Sequence, residues 1–290
     1  MANQLTVLIP CKDERMNIRP CIESLHDLAD EILIADSGST DGTLDIVHQI
    51  GGCRIIEREY IHSGDFKNWA IPQARCPWVL IVDADERVGM RLSEEIRRVL
   101  QTGPRCDGYW LYRENYFLGH RIRFSGWQTD KVLRLFRRDA GRYVGNNDHA
   151  EVAIRSGRVG RLKSRLRHFT YWNCDQYFKK FHRYTTYQAQ LWYHQGRRPN
   201  ALRMTSTGPL RFLHTYFIRL GFLDGLAGFQ VCALTALGSY MKQARLWELC
   251  HGQRQPDPEA NRSRQAATDD ATKRPENSLS GAPQNYRKAI

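Results

Sequence analysis

Residues 79–88, VLIVDADERV, join an apolar run to a cluster of acids. The four branched residues before Asp83 have the character of a strand that is buried on both faces. Asp83, Asp85 and Glu86 follow almost without a break, so three carboxylates stand where such a strand ends. This stretch predicts a strand of a covered sheet with an acidic site at its carboxyl end.

Two earlier strands are predicted to end in the same way. The run LTVLIP (5–10) leads into Asp13 and Glu14, and the run EILIA (31–35) leads into Asp36. Helical patterns separate the strands, which predicts an α/β fold with a parallel sheet covered on both faces. In such sheets ligands bind at the carboxyl ends of the strands. We therefore expect these acids to share one edge of the sheet.

A divalent cation is the simplest way to hold so many carboxylates together. A lone D-x-D after a strand is a weak signal, since aspartates also terminate strands and cap helices. Acids that converge repel one another unless a cation intervenes. Mg²⁺ or Mn²⁺ takes one or two carboxylates and completes its shell with phosphate oxygens and water. The sequence therefore predicts a metal platform for a diphosphate at Asp83 and Asp85.

The composition fits a globular protein with an anionic partner. The chain has 290 residues, 41% of them hydrophobic, and a formal net charge of +12. That charge favours nucleic acid, nucleotide, phosphate or an anionic membrane as partner. Eight cysteines without a C-x-x-C pair indicate buried reduced thiols rather than a disulfide or zinc framework. We expect no secretory signal and a cytoplasmic location.

The pattern changes after about residue 106. Irregular or antiparallel strands with aromatic residues come first, helices rich in aromatic or apolar residues follow, and the last forty residues are too polar to bury a core. The predicted divisions are a catalytic domain at 1–175 (donor half about 1–105, acceptor half about 106–175), a helical and membrane-associated extension at 176–250, and a disordered tail at 251–290.

Residues 221–241, GFLDGLAGFQVCALTALGSYM, are long enough to cross a bilayer. The segment contains Asp224, Gln230 and four glycines, which favours attachment at the membrane interface over a buried core helix or a true span. A basic run at 155–167, RSGRVGRLKSRLR, is by default a solvated face. It could also contact anionic head groups or acceptor phosphates.

Three motifs, in this order, resemble those of the inverting glycosyltransferases of family 2: LTVLIPCKDERMNIRPCIESL, EILIADSGSTDGT and VLIVDADERV. The resemblance covers about residues 5–90. FKNWAI, GWQTDKVLRLFRR and the HAE near residue 149 are similar to the subgroup that adds a hexose to the inner core of lipopolysaccharide. The family implies a Rossmann-like GT-A fold that binds a nucleoside-diphosphate sugar, with Mg²⁺ or Mn²⁺, and a lipid-linked or lipopolysaccharide acceptor at the inner face of the cytoplasmic membrane.

The resemblance also implies roles for residues around the donor. Asp83 and Asp85 would hold the metal and the diphosphate, and Asp13 stands where many relatives have asparagine. The residues implied to contact or shape the site of the nucleotide sugar are Pro10, Asp13, Glu14, Asp36, Ser37, Asp41, Lys67, Asn68, Asp83 and Ala84. For Lys67 and Asn68 a solvated helix start is the alternative.

Inverting transfer needs a carboxylate outside the metal cluster to take the proton of the acceptor hydroxyl. The stretch YVGNNDHAEVAI supplies Asp148, His149 and Glu151. The resembling subgroup has a His-Glu pair at this place, and here one alanine separates the two. Glu151 is the favoured base, Asp148 the alternative and His149 a supporting group. Trp127 is expected either to stack on an acceptor sugar or to belong to the core.

Two other functions remain open at this point. A sugar-nucleotidyltransferase shares the sheet and an acidic metal site, but the N-terminal stretch LIPCKDERMN lacks the glycine-rich phosphate loop that we expect of such an enzyme. A basic nucleic-acid-binding protein would fit the net charge, but acidic strand ends would repel its phosphates, and no nucleic-acid-binding signature accompanies the charge. We therefore expect no nucleic acid partner.

Overall fold

The computed structural model describes residues 4–145 and 150–252. Eleven strands occur in these residues: β1 Leu5–Cys11, β2 Glu31–Asp36, β3 Cys53–Glu57, β4 Trp78–Ile81, β5 Glu86–Arg87, β6 Gly108–Phe117, β7 His120–Ile122, β8 Lys131–Arg137, β9 Gly141–Val144, β10 Glu151–Ile154 and β11 Val159–Tyr171. The α-helices are α1 Ile18–Glu23, α2 Thr43–Ile50, α3 Ser63–Ala70, α4 Met90–Gln101, α5 Cys174–His194, α6 Ala201–Leu213 and α7 Gly225–His251.

The main sheet has the strand order β3-β2-β1-β4-β8-β6-β11-β5, with β7 paired to β6. The four strands β3, β2, β1 and β4 are parallel, as the alternating pattern predicts. β8 lies antiparallel between β4 and β6, and β11 is parallel to β6. β9 and β10 form a separate antiparallel hairpin. The carboxyl ends of β1, β2 and β4 meet at one edge, where the acids were expected.

Apolar side chains cover both faces of the sheet. Alternate residues of β1 point to opposite sides: Val7 and Ile9 join α1 and α4 in one cluster, and Leu8 joins α3 and the β9–β10 hairpin in the other. Helix α1 ends earlier than its periodicity predicts, because Ser24 turns its hydroxyl onto the Cys21 carbonyl at 2.7 Å. Leu25 is nevertheless fully buried, so the apolar spacing marked burial correctly.

The C-terminal part of the described chain contains α5, α6 and α7, with a π-helical segment, His214–Ile218, and a 3₁₀ segment, Gly221–Asp224, between α6 and α7. α7 packs against both α5 and α6. The helical pattern predicted for 205–250 is interrupted before α7, where Leu220 is left-handed and Gly221 packs closely on α7. A β-carbon at Gly221 would lie 2.5 Å from the Cys232 sulfur, so this close approach requires glycine.

Candidate active site

A cavity of about 640 Å³ opens at the carboxyl edge of the parallel strands. Residues after β1, β2 and β4 form its inner wall, and β6, β8 and β11 form its floor. Helix α3, the β9–β10 hairpin and helix α5 supply the remaining walls. The cavity therefore lies where a parallel α/β sheet binds its ligands.

Asp83 lies on the inner wall and is neutralised by three cations. Lys67 donates to one carboxylate oxygen at 3.1 Å, Arg134 makes a close ion pair with the other, and Arg113 lies 3.8 Å away. Burial by itself would raise the pKa of Asp83, but Arg134, Lys67 and Arg113 outweigh it and hold the pKa far below its usual range. Asp83 thus orients Lys67 and Arg134 beside the cavity.

The two arginines are held from beneath by Glu86, which is fully buried. Arg113 donates to Glu86 at 2.8 Å, and Arg134 lies 3.4 Å from the same carboxylate oxygen. A bulge in β8 explains the direction of Arg134. Tyr109 pairs with Leu135, and the next residue of β6, Trp110, pairs with Leu133. Arg134 therefore has no partner in the ladder. No local pattern in the sequence marks a bulge, so Arg134 was not predicted as a site residue, and Arg113 was not predicted either.

Asp85 has different neighbours. His168 Nε2 and Lys180 Nζ both lie 3.6 Å from the same carboxylate oxygen of Asp85. Burial opposes ionisation, yet His168 and Lys180 outweigh it and lower the pKa of Asp85. The Asn115 amide donates to Asp130 at 3.0 Å, so its oxygen faces His168 Nδ1 at 2.6 Å and accepts that proton. The contact with Asn115 orients the imidazole so that Nε2 faces Asp85.

Asp85 and His168 fit a divalent metal ion. A carboxylate and an imidazole face each other, and the second ring nitrogen is anchored as metal-ligating histidines usually are. Within residues 4–145 and 150–252, no three His, Cys, Asp or Glu side chains converge as a complete ligand set would. Mg²⁺ and Mn²⁺ accept such a partial set when substrate phosphate and water supply the rest. Sequence analysis did not anticipate His168, which lies 83 residues beyond Asp85.

The acids at the ends of β1 and β2 shape a loop. Asp36 accepts from the backbone nitrogens of Gly38 and Ser39, both at 2.8 Å. Asp13 accepts from the Thr40 nitrogen at 2.8 Å, and Asp41 accepts from Arg15 at 3.0 Å. These three carboxylates are bound to backbone and lie outside the cavity wall, which instead contains Pro10, Glu14 and Ser37.

Glu14 is the acid of this region that faces the cavity. Burial is the main cause that raises its pKa, although Asn17 donates to the carboxylate at 2.8 Å and acts in the opposite direction. Among the other sequence-predicted donor residues, Lys67 and Ala84 line the cavity.

Asn68 and Trp127 lie outside the cavity wall. The Asn68 amide exchanges two 2.9 Å hydrogen bonds with the backbone of Tyr143 and so fixes α3 to β9. Trp127 packs edge-on against Phe117 at 6.4 Å between ring centres, in a cluster that also contains Val231. Trp127 therefore takes part in packing, and its stacking on an acceptor sugar stays a prediction.

Glu151 lines the cavity from the hairpin. It is the first residue of β10, lies opposite Val144 and is exposed. Asp148 and His149, the alternative base and the supporting group, lie outside the described residues. The structure therefore puts one candidate base on a wall separate from Asp85.

Helix α5 contributes three residues to the cavity, namely Lys180, Arg183 and Tyr184. Their spacing places them on one face of the helix. The chain leading into α5 is tied to the inner wall, because the Trp172 indole donates to Asn17 at 2.8 Å. Sequence analysis assigned these residues to a separate extension. The three-and-four spacing of polar residues on an aromatic helix is the signal that could have revealed them.

Comparison with known proteins gives a consistent family. The family model described as "Glycosyl transferase family 2" matches residues 6–157. The lipopolysaccharide core biosynthesis glycosyltransferase LpsC of Rhizobium meliloti is 30% identical over 249 residues, which are 84% of this chain and 92% of LpsC. An uncharacterized glycosyltransferase of Rickettsia bellii is 24% identical, over 86% of this chain and 88% of its own.

Solved structures are more distant. The mannosyltransferase PcManGT from Pyrobaculum calidifontis, in complex with GDP-Man and Mn²⁺, is 16% identical with a TM-score of 0.47, and the match covers 94% of this chain and 82% of PcManGT. S. aureus TarS in complex with UDP-GlcNAc is 14% identical with a TM-score of 0.43, over 82% of this chain and 80% of TarS.

Proposed function

Because this chain belongs to glycosyltransferase family 2, we propose that it transfers a sugar from a nucleoside-diphosphate sugar to a hydroxyl of a lipopolysaccharide-core glycan, with inversion and with Mg²⁺ or Mn²⁺. It is a glycosyltransferase with the α/β fold of the GT-A type, as the motifs predicted. The nucleotidyltransferase and nucleic-acid alternatives are not retained. The observation that supports metal-dependent binding of the donor is the Asp85–His168 pair in a cavity that is also lined by lysine and arginine side chains.

The donor half of the mechanism rests on fixed positive charge. Lys67, Arg113 and Arg134 are held in place by Asp83 and Glu86, so they can bind diphosphate oxygens without reorganisation. Asp85 and His168 would hold the metal, which supplies Lewis-acid stabilisation of the leaving diphosphate when bound. Asp83 is not proposed as a ligand, because its oxygens face Lys67 and Arg134.

The acceptor half rests on the hairpin. Inversion by a single displacement requires the attacking hydroxyl to approach the anomeric carbon opposite the diphosphate. Glu151, on the hairpin wall, would take the proton of that hydroxyl. Asp148 stays the alternative base.

A donor screen tests the proposed function. Common UDP- and GDP-sugars are incubated with the enzyme and delipidated core oligosaccharide, with Mn²⁺, Mg²⁺ or EDTA, and ¹H NMR reports the anomeric configuration of the product. We expect transfer from one donor only, loss of activity in EDTA, and inverted configuration. Retention of configuration, or full activity in EDTA, would contradict the proposal.

Lys180 provides a separate prediction about the metal. Its ammonium lies at the same Asp85 oxygen as His168, so it competes with a cation there. Lys180→Met should tighten Mn²⁺ binding by the free enzyme by about threefold to tenfold, a modest effect because Lys180 is partly exposed. The same change should lower transfer, because one cation near the diphosphate is lost. Lys180→Arg is the charge-preserving control. Weaker Mn²⁺ binding in Lys180→Met would show that Lys180 does not compete.

The turn between α6 and α7 exposes many apolar side chains. We name residues 210–229 the apolar elbow. Its large exposed residues are Leu210, Leu213, Phe217, Ile218, Leu220, Phe222, Leu223, Leu226 and Phe229. By length and composition alone, Gly221–His251 is apolar enough to cross a membrane, and only 22% of its most apolar window is buried. Arg211 and Arg219 lie within the elbow and are exposed. We propose that the elbow inserts into an anionic membrane surface.

Removing two apolar side chains of the elbow should weaken membrane binding. Ile218 and Leu226 are 72% and 73% exposed, so their replacement costs little in the folded protein. Ile218→Ser/Leu226→Ser should reduce flotation with anionic liposomes by at least about tenfold, since each buried apolar side chain contributes about 1.5–3 kcal/mol. Met16→Ser/Met90→Ser is the matched control, with two equally exposed residues elsewhere. Equal flotation of both variants would exclude the elbow as the docking surface.

A further inference from the structure

A row of aromatic and basic side chains crosses the face of three central strands. The Lys131 ammonium lies over the Trp110 ring, 4.9 Å from its centre, and Lys131 is directly opposite Tyr112 in the ladder. Arg161 and Arg165 stack on Tyr112 at 5.2 and 5.4 Å. These five residues, Trp110, Tyr112, Lys131, Arg161 and Arg165, are named the basic strip.

Strand pairing places the basic strip on one side of the sheet. Arg161 lies opposite Trp110 and Arg165 opposite Tyr112, so both arginines lie on the face of the sheet that carries these two aromatic residues. In the same strand, β11, Leu162 is buried on the other face of the sheet, in the cluster that contains Val7 and Ile9. The part of the basic run from Val159 onward therefore lies in β11, which has one apolar side in the core and one cationic side.

The basic strip is continuous with the cavity. Trp110 and Lys131 line the cavity, and Tyr112, Arg161 and Arg165 carry the row outward across β6 and β11. Lys131, Arg161 and Arg165 are exposed. Within residues 4–145 and 150–252 none of them pairs with a carboxylate, and one nitrogen of the Arg165 guanidinium donates to the Arg113 carbonyl at 3.0 Å. Three neighbouring strands span about 10 Å, which is long enough to contact more than one sugar of a chain.

The side chains that line the cavity carry more positive than negative charge, which favours the binding of a second anion in addition to the donor. Seven lysine and arginine side chains and four acidic side chains line it. Glu86 and Asp130, which lie behind the lining residues, neutralise part of this excess at Arg113 and Arg134. A donor diphosphate and a divalent cation nearly cancel each other, so a smaller positive excess remains. Charge complementarity therefore favours an acidic acceptor. The rings of Trp110 and Tyr112 offer faces on which a sugar can stack.

We propose that the basic strip binds an acidic stretch of the acceptor glycan, whose carboxylate or phosphate groups pair with Lys131, Arg161 and Arg165. This inference rests on the proposed function and narrows its substrate class. A glycan is favoured over a bilayer because the strip begins at cavity-lining residues and combines its charges with aromatic rings, whereas the exposed apolar residues are concentrated in the apolar elbow.

The first test measures binding with defined probes. Trigalacturonate, its neutral methyl ester and glucose 6-phosphate are titrated into the full-length protein by calorimetry. Wild type should bind trigalacturonate at least about tenfold more tightly than the ester, and Arg161→Gln/Arg165→Gln should remove most of that difference. Arg197→Gln/Arg198→Gln is the matched control: two exposed arginines that also stack on aromatic rings, at 5.5 and 5.7 Å, outside the strip. Equal affinity for acid and ester, or equal loss in both variants, would overturn the proposal.

The second test identifies the acidic group and separates it from lipid. Core oligosaccharide is used as acceptor untreated, phosphatase-treated or carboxyl-reduced. Arg161→Gln/Arg165→Gln should raise the KM for the untreated acceptor at least about tenfold with kcat nearly unchanged, and the treatment that removes the relevant group should abolish the difference from wild type. If the variant instead lost only flotation with anionic vesicles, the strip would bind lipid and the proposal would be wrong. Nucleoside diphosphate binding with Mn²⁺, measured on the same samples, reports the donor site independently.

Discussion

Asp85→Asn should lower sugar transfer by at least about 10³-fold and abolish the metal dependence of nucleoside diphosphate binding. Asparagine keeps the shape but removes the charge that faces His168 and Lys180. Metal stabilisation of a leaving group contributes several kcal/mol, and each 1.4 kcal/mol is a factor of about ten in rate. Initial rates with the donor found in the screen, and calorimetric titration of the matching nucleoside diphosphate with and without Mn²⁺, measure both effects.

The charge-matched control is Asp139→Asn, which removes an acid whose side chain is 83% exposed. It should transfer sugar at the wild-type rate. Circular dichroism and the unfolding midpoint of Asp85→Asn should show that the fold is retained. Metal-stimulated transfer at the wild-type rate in Asp85→Asn would remove this residue from the mechanism.

Glu151→Gln should lower transfer by about 10²–10⁴-fold, the usual contribution of a general base. Glutamine keeps the size of the side chain and cannot accept the proton of the acceptor. Glu151 is exposed at the start of β10, so the substitution should leave the fold intact. Donor affinity should change little, because Glu151 lies on the hairpin and not on the wall that presents Lys67 and Arg134. Rates at saturating acceptor, together with donor titration, separate the two quantities.

Asp148→Asn is the comparison for Glu151→Gln. It should keep most of its activity. An inactive Asp148→Asn together with an active Glu151→Gln would assign the base to Asp148, and the alanine between His149 and Glu151 would then have shifted the register of the motif.

The parallel sheet and the position of the site at its edge can be predicted from the sequence, because both depend on patterns within short stretches of the chain. Strand runs that end in Asp36 and Asp83 can only meet at one edge of a parallel sheet. The same reasoning assigns the helices around Ile18 and Thr43, since their apolar spacing reflects the face that is buried. Family membership, read from three motifs, is confirmed by the family match over residues 6–157.

The chemistry inside the cavity was less predictable because it depends on contacts between distant parts of the chain. Asp83 looks in sequence like a metal ligand, but Lys67 and Arg134 approach it from α3 and from a bulge in β8. His168 and Lys180 reach Asp85 from β11 and α5, far away in the sequence. Asp36 ends its strand as predicted, yet the backbone of its own loop satisfies its carboxylate. Residue type alone does not distinguish a carboxylate that is free to bind a ligand from one that is already paired.

Electron paramagnetic resonance of Mn²⁺ gives the most direct test of the site. The free enzyme is titrated with Mn²⁺ alone and with UDP or GDP, for wild type, His168→Gln, Asp85→Asn and Asp83→Asn. We expect the nucleoside diphosphate to tighten Mn²⁺ binding in wild type, and this coupling to disappear in His168→Gln and Asp85→Asn but to persist in Asp83→Asn. Coupling that survives in His168→Gln and is lost in Asp83→Asn would contradict the assignment, and would place the metal on the two aspartates instead.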